Sequence, residues 1–250
     1  MSAVKAERIR SCVFESLVGL YLRLNGYFLI SNYLLHRAWT ESHDGLRAEI
    51  DHLAVRFPYQ REVLLDGWIQ KNDEQLILPL DKSFVDFIIA EVKEPSVEFN
   101  EPIEGKQGQQ NLCDVIEMLG FDEQEGANVK ACKIAEMLHG QVRAKSWQDF
   151  PTYEDAAQKV SIRMIVFARE KSKRSQERRF ISLEHVLKVT RERVSEGYAC
   201  RGYTRDERFS PWRGLGKKLL FALDEARASQ HRDLDEFIQH VMGLGVEGSC

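Results

Sequence analysis

The chain has 250 residues, with 35 Lys and Arg against 39 Asp and Glu and a formal charge of −4. An apolar content of 43%, a charged content of 30% and only 6 Pro exclude a disordered chain, and the length suffices for a sizeable core. An acidic chain does not coat polyphosphate generally, so any nucleic-acid face requires a local concentration of basic residues.

Residues 3–25 read as a helix, with Val13, Leu17, Leu20 and Leu24 recurring on one buried face. Asn25-Gly26 stops it. Tyr27 to Leu35 reads as a strand, Thr40 to Gly45 as a polar loop. The apolar stretch Leu17–Leu35 is broken by Arg23, Asn25, Ser31 and Asn32, which argues against a membrane span. Glu7 and Glu15 argue against a signal peptide. Arg47 to Phe57 alternates as a strand, placing Glu49, Asp51, Leu53, Val55 and Phe57 on one face, and Pro58 ends it.

Residues 59–82 fit no single element. Phe84 to Lys93 reads as a strand buried on both faces. A polar stretch with Gly105 and Gly108 leads to helices at Gln110–Leu119 and Ala127–Leu138. Val160–Ala168 is a strand and Lys171 to Arg174 a turn. Phe180-Ile181 is a short strand. Ser182 is a candidate N-cap for a helix through Val194, stopped at Gly197. Residues 198–213 form an Arg-rich loop, followed by helices at Leu215–Ala228 and Asp233–Met242. The order implies an α/β chain.

The cysteines, Cys12, Cys113, Cys132, Cys200 and Cys250, are odd in number, and no two are closer than 19 positions. Without a CxxC pair, they predict free thiols in a reducing, cytoplasmic setting.

The chemistry concentrates on two predicted strands. Glu91 and Lys93 are two apart, so they share a side of a strand that is otherwise apolar. Two charges at the end of a buried strand need a partner, because unpaired buried charge is expensive. A hard divalent cation supplies one. Mg²⁺ takes carboxylate oxygens, and Asp51 and Glu91 on adjacent strands could hold it. Lys93 would orient or help deprotonate a water and offset phosphate charge. Glu15 lies near the apolar face of the first helix, and Glu49 is an alternative ligand or ion-pair partner. The seven histidines do not cluster and read as structural.

This set resembles the PD-(D/E)XK nuclease superfamily, the restriction-endonuclease-like fold, over roughly residues 8–190. The resemblance maps the family's metal-binding Asp to Asp51, its (D/E)XK pair to Glu91 and Lys93, and its first-helix acid to Glu15. It adds the Val92 carbonyl as a metal ligand. It implies a central mixed sheet flanked by helices over residues 1–195, with the Arg-rich loop and C-terminal helices of residues 196–250 packed on it. The residue before Asp51 is Ile50 rather than the family's Pro, and the gap to Glu91 implies an insertion.

The segment from Arg163 to Lys218 carries 16 Lys and Arg and 7 Asp and Glu, a net of +9, leaving −13 for the remainder. Within it, Lys171, Lys173, Arg174, Arg178, Arg179, Arg205 and Arg208 are candidate phosphate contacts. Interleaved Tyr198, Tyr203, Phe209 and Trp212 could stack on bases. The resulting expectation is a Mg²⁺-dependent nuclease acting on DNA, with Mn²⁺ as a substitute metal. RNA cleavage, and a non-catalytic binding module on the same fold, are the alternatives. Family logic pairs double-strand cleavage with a homodimer, and the acidic remainder and C-terminal helices offer a surface to a partner chain.

Overall fold

A computed structural model describes residues 3–35, 48–60, 72–77, 82–94, 97–120, 127–144, 149–169, 178–197, 214–228 and 233–244. The expected loop at Thr40–Gly45, the turn at Lys171–Arg174 and the Arg-rich loop at 198–213 lie outside these residues. The chain divides into two compact units. One comprises residues 1–28, 59–81 and 181–250, the other residues 29–58 and 82–180.

The first unit is helical. It contains α1 (Ala3–Leu24), the single turn α2 (Glu74–Ile77), α6 (Leu183–Gly197), α7 (Gly214–Ala228) and α8 (Leu234–Gly243). Val13, Leu17, Leu20 and Leu24 are all buried, as their spacing predicts. Helix α1 ends at Asn25-Gly26 because Gly26 adopts φ 84°, which costs a glycine little. The Gly26 amide then donates to the Arg23 carbonyl and the Tyr27 amide to the Leu22 carbonyl, closing the last turn in a Schellman motif. Ser182 caps α6 by accepting from the His185 amide at 3.0 Å, and Asp233 caps α8 by accepting from the Glu236 amide.

Asp73 ties this unit together. It accepts from Tyr21 Oη at 2.5 Å, pairs with His185 Nε2 at 2.6 Å and accepts from the Gln75 amide. Its own amide donates to Asn25 Oδ1 at 2.7 Å. Segment 72–77 is thereby fastened to α1 and α6 by a carboxylate rather than by apolar packing alone. No described helix is long and apolar enough to cross a membrane.

The second unit is an α/β layer built on a mixed sheet. Its strands are β1 (Phe28–Leu35), β2 (Ala48–Arg56), β3 (Val85–Lys93), β4 (Thr152–Asp155) and β5 (Val160–Ala168). Their spatial order is β1-β2-β3-β5-β4. β2 runs antiparallel to β3, from Arg56 opposite Asp86 to His52 opposite Ala90. β3 and β5 are parallel, with Glu91 opposite Val166. The β4–β5 hairpin (Thr152 opposite Arg163) is a strand pair that the sequence pattern does not announce. The single turn α3 (Glu101–Glu104) leads into α4 (Gly108–Met118), and α5 (Ala127–Arg143) follows.

Alternation decides what each strand buries. Ile162, Met164 and Val166 of β5 join Ile89 of β3 in a core with Leu112, Val115 and Ile116 of α4 and Ile134, Ala135 and Leu138 of α5. On the other face of β5, Arg163 is fully buried. It forks onto Asp86 of β3, with Nε to Oδ1 at 3.0 Å and Nη2 to Oδ2 at 2.6 Å. Gly108 opens α4 because a side chain there would lie 1.8 Å from the Ile103 carbonyl oxygen.

The free-thiol expectation is corrected here. Cys113 of α4 and Cys132 of α5 are joined in a disulfide, their Cα atoms 4.6 Å apart, and Cys12 is disulfide-bonded as well. The 19-residue spacing carried no signal, because packing of two helices, rather than a local turn, brings Cys113 and Cys132 together.

Candidate active site on β2 and β3

The β2–β3 ladder changes character at its end. One position beyond the His52–Ala90 pair, the Asp51 side chain takes over: its Oδ2 accepts from the Val92 amide at 2.6 Å. A buried amide needs an acceptor, and meeting that need with a carboxylate holds Asp51 against β3.

Glu91 sits beside it on β3 and is fully buried. Its Oε2 receives Lys93 Nζ at 3.0 Å and Asn100 Nδ2 at 2.7 Å. Lys93 Nζ also donates a short hydrogen bond to Asn100 Oδ1. Asn100 therefore closes a three-membered ring with the acid and the lysine. Glu91 Oε1 is buried and meets no donor.

The electrostatics follow from this crowding. Burial, then the neighbouring Asp51 charge, pushes the Glu91 carboxyl up to about 8, against the opposing pull of Lys93 and Asn100. Burial raises Asp51 also, although the Val92 amide and Lys93 work the other way. The two carboxyls lie within hydrogen-bonding reach of each other. Two carboxylate acceptors at that separation require a proton or a cation between them. Carboxylate oxygens are the kind of hard donor that Mg²⁺ takes, and one Glu91 oxygen is left unused. Asp51 and Glu91 would hold the ion.

Of the residues picked from sequence, the structure brings Asp51, Glu91, Val92 and Lys93 together. Glu15 belongs to the helical unit, where its Oε1 accepts from Ser11 Oγ at 2.9 Å. Lys171, Lys173, Arg174, Arg205 and Arg208 lie outside the described residues. Arg178 donates to the Val97 carbonyl and to both Glu104 oxygens, which fastens the segment bearing Asn100. Arg179 pairs with Asp149 and lies over the Phe150 ring at 4.6 Å.

Asn100 is the residue the sequence reading missed. Asn-Glu-Pro is a helix-start signal, and Asn100 does occupy the N-cap of α3. Its side chain, however, makes no cap hydrogen bond, because both its polar atoms are committed to Glu91 and Lys93. The helix signal itself gives no hint that the Asn100 side chain is spent on Glu91 and Lys93.

Neither a family model, nor a curated protein, nor a solved structure matches this chain.

Proposed function

We propose that this protein is a Mg²⁺-dependent nuclease of the restriction-endonuclease-like fold, cleaving phosphodiester bonds in DNA. One observation carries the reading. A fully buried carboxyl, with one oxygen that meets no donor, and a partly buried one on the adjacent strand stand beside a lysine held in place by an amide. An α/β unit in which β2 and β3 are antiparallel, helices follow, and β5 returns parallel to β3 supports the same reading.

Bound Mg²⁺ would supply Lewis-acid stabilisation of phosphate charge and a more acidic water. The chain's own residues do the rest. Asp51, anchored on the Val92 amide, and Glu91 fix the ligand positions. The Val92 carbonyl is the further ligand by analogy with the family. Lys93 Nζ, about one-fifth exposed, presents positive charge where a phosphate or its attacking water would stand. Lys171, Lys173, Arg174, Arg179, Arg205 and Arg208 supply backbone-phosphate contacts in this reading.

The test is digestion of labelled DNA and RNA, side by side, with Mg²⁺ and Mn²⁺. Metal-dependent cleavage of DNA that is abolished in Asp51→Ala and Lys93→Ala supports the reading. Equal cleavage by those variants removes the site assignment, and RNA cleavage alone changes the substrate. DNA binding without cleavage under either metal leaves a binding module on this fold.

A further inference from the structure

On α4, far in sequence from the carboxyl pair, Cys113 and Glu117 are four apart and face one another, with Sγ to Oε1 at 3.8 Å. Cys132 of α5 completes a group in which two sulfurs and one carboxylate oxygen all lie within 4.8 Å of one another. Cys113 is buried, Cys132 partly so, and Glu117 is exposed, so an ion can enter from the Glu117 side. The proposed nuclease reading makes no use of this group.

We propose that Cys113, Cys132 and Glu117 form a zinc site gated by the redox state of the Cys113–Cys132 pair. The disulfide and the metal compete for the same two sulfurs. A dithiol reductant delivers two electrons and two protons to the disulfide and is itself oxidised to a disulfide. Cys113 and Cys132 become thiols. Zn²⁺ binding then releases the two thiol protons to solvent, since thiolates are the ligands. Thiolate and carboxylate donors suit this borderline-soft ion, and tetrahedral coordination with one water completes the shell. Zn–S near 2.3 Å and Zn–O near 2.1 Å put ligand atoms about 3.4–3.8 Å apart. The existing Cys113–Glu117 separation of 3.8 Å is at the upper end of that span, and the two sulfurs must part. The site exchanges one α4–α5 cross-link for another.

The experiment uses the full chain, reduced with a non-chelating phosphine, and the metals alone. Zn²⁺ uptake should rise by one equivalent on reduction, and Co²⁺ should give a thiolate charge-transfer band with tetrahedral visible bands. The Cys113→Ser/Cys132→Ser double variant should lose that equivalent. Cys12→Ser should retain it, which excludes from the site Cys12, one of the two thiols that reduction of its own disulfide frees. Glu117→Gln should weaken binding at least about tenfold. Zinc should also protect Cys113 and Cys132 from alkylation in the reduced wild type, read by mass spectrometry, which needs no variant to fold. No uptake by reduced wild type, unchanged uptake by the double variant, full affinity in Glu117→Gln, or alkylation of both cysteines despite zinc would each overturn the proposal.

Discussion

Asn100 donates from Nδ2 to Glu91 Oε2 at 2.7 Å while its Oδ1 accepts from Lys93. One amide thus fixes the distance between a buried acid and a partly exposed base. Acid and lysine could meet directly, and they do at 3.0 Å. The amide adds direction: it selects which Glu91 oxygen is occupied and leaves Oε1 unused.

Asn100→Ala should therefore release Lys93 without unfolding the core. The expected outcome is a fall of about ten- to a hundredfold in the DNA cleavage rate, the scale on which small misplacements act, with stability lowered only by the lost hydrogen bonds, about 1–3 kcal/mol. Single-turnover cleavage and thermal denaturation check it together. A wild-type rate would mean that the ring only packs the β3 end.

The raised Glu91 carboxyl makes a pH prediction whose sign is fixed. Its folded value, about 8, exceeds the ordinary glutamate value of about 4.3, so the folded protein binds the extra proton between them. Without metal, this group's contribution is fully present below the ordinary value and is lost as pH rises through about 8. Glu91→Gln should flatten that decline and be the more stable protein at pH 9, by on the order of a few kcal/mol. Added Mg²⁺ should bind more tightly as pH rises through the same range, because it displaces the proton. Urea denaturation of both proteins at pH 5 and pH 9, with and without Mg²⁺, is the measurement. A parallel decline in wild type and Glu91→Gln would assign the loss to other groups.

Much of this site was legible in the sequence, for a physical reason. Glu91 and Lys93 break an apolar strand, and charge in such a place needs a compensating partner. Asp51 was legible because alternation in β2 fixes its face. The strands β3 and β5 were legible because apolar, largely β-branched and aromatic residues dominate each nine-residue stretch. What stayed hidden depends on contacts distant in sequence. Asp86 and Arg163 are 77 positions apart, and Asp86 passes unnoticed inside an apolar run. The one-turn helices α2 and α3 are too short to be stable alone. Segment 72–77 is held by the hydrogen bonds of Asp73, the α3 segment by Arg178 on Val97 and Glu104.

The Asp86–Arg163 fork sits on the sheet face opposite the α4–α5 core, both side chains almost entirely buried. Removing one partner strands the other charge, so Arg163→Met should cost about 3–5 kcal/mol. Replacing both partners, as Asp86→Leu with Arg163→Met, should recover most of the loss. Chemical denaturation of the single and double variants tests this. A double variant as unstable as the single would show that packing volume, rather than stranded charge, sets the cost.

Asp73 makes the opposite pH prediction to Glu91. Burial pushes its carboxyl up, but the hydrogen bonds from His185 and Tyr21 outweigh it, and the group ends below its ordinary value. Its stabilisation is therefore present above the ordinary aspartate value and is lost as pH falls through the lower folded one. Asp73→Asn keeps the shape but removes the charge that His185 and Tyr21 address. A hydrogen bond to a charged acceptor contributes about 1.5–3 kcal/mol, so the variant should be less stable than wild type by about 2–3 kcal/mol at pH 7. The gap should narrow as pH falls below the ordinary aspartate value and close once it passes the lower folded one, where the wild-type carboxylate is protonated too. Tyr21→Phe removes one donor and should show a smaller gap with the same pH trend. Thermal denaturation from pH 3 to pH 7 reads both. A gap that stays constant across that range would mean that Asp73 acts through shape and that its charge contributes nothing.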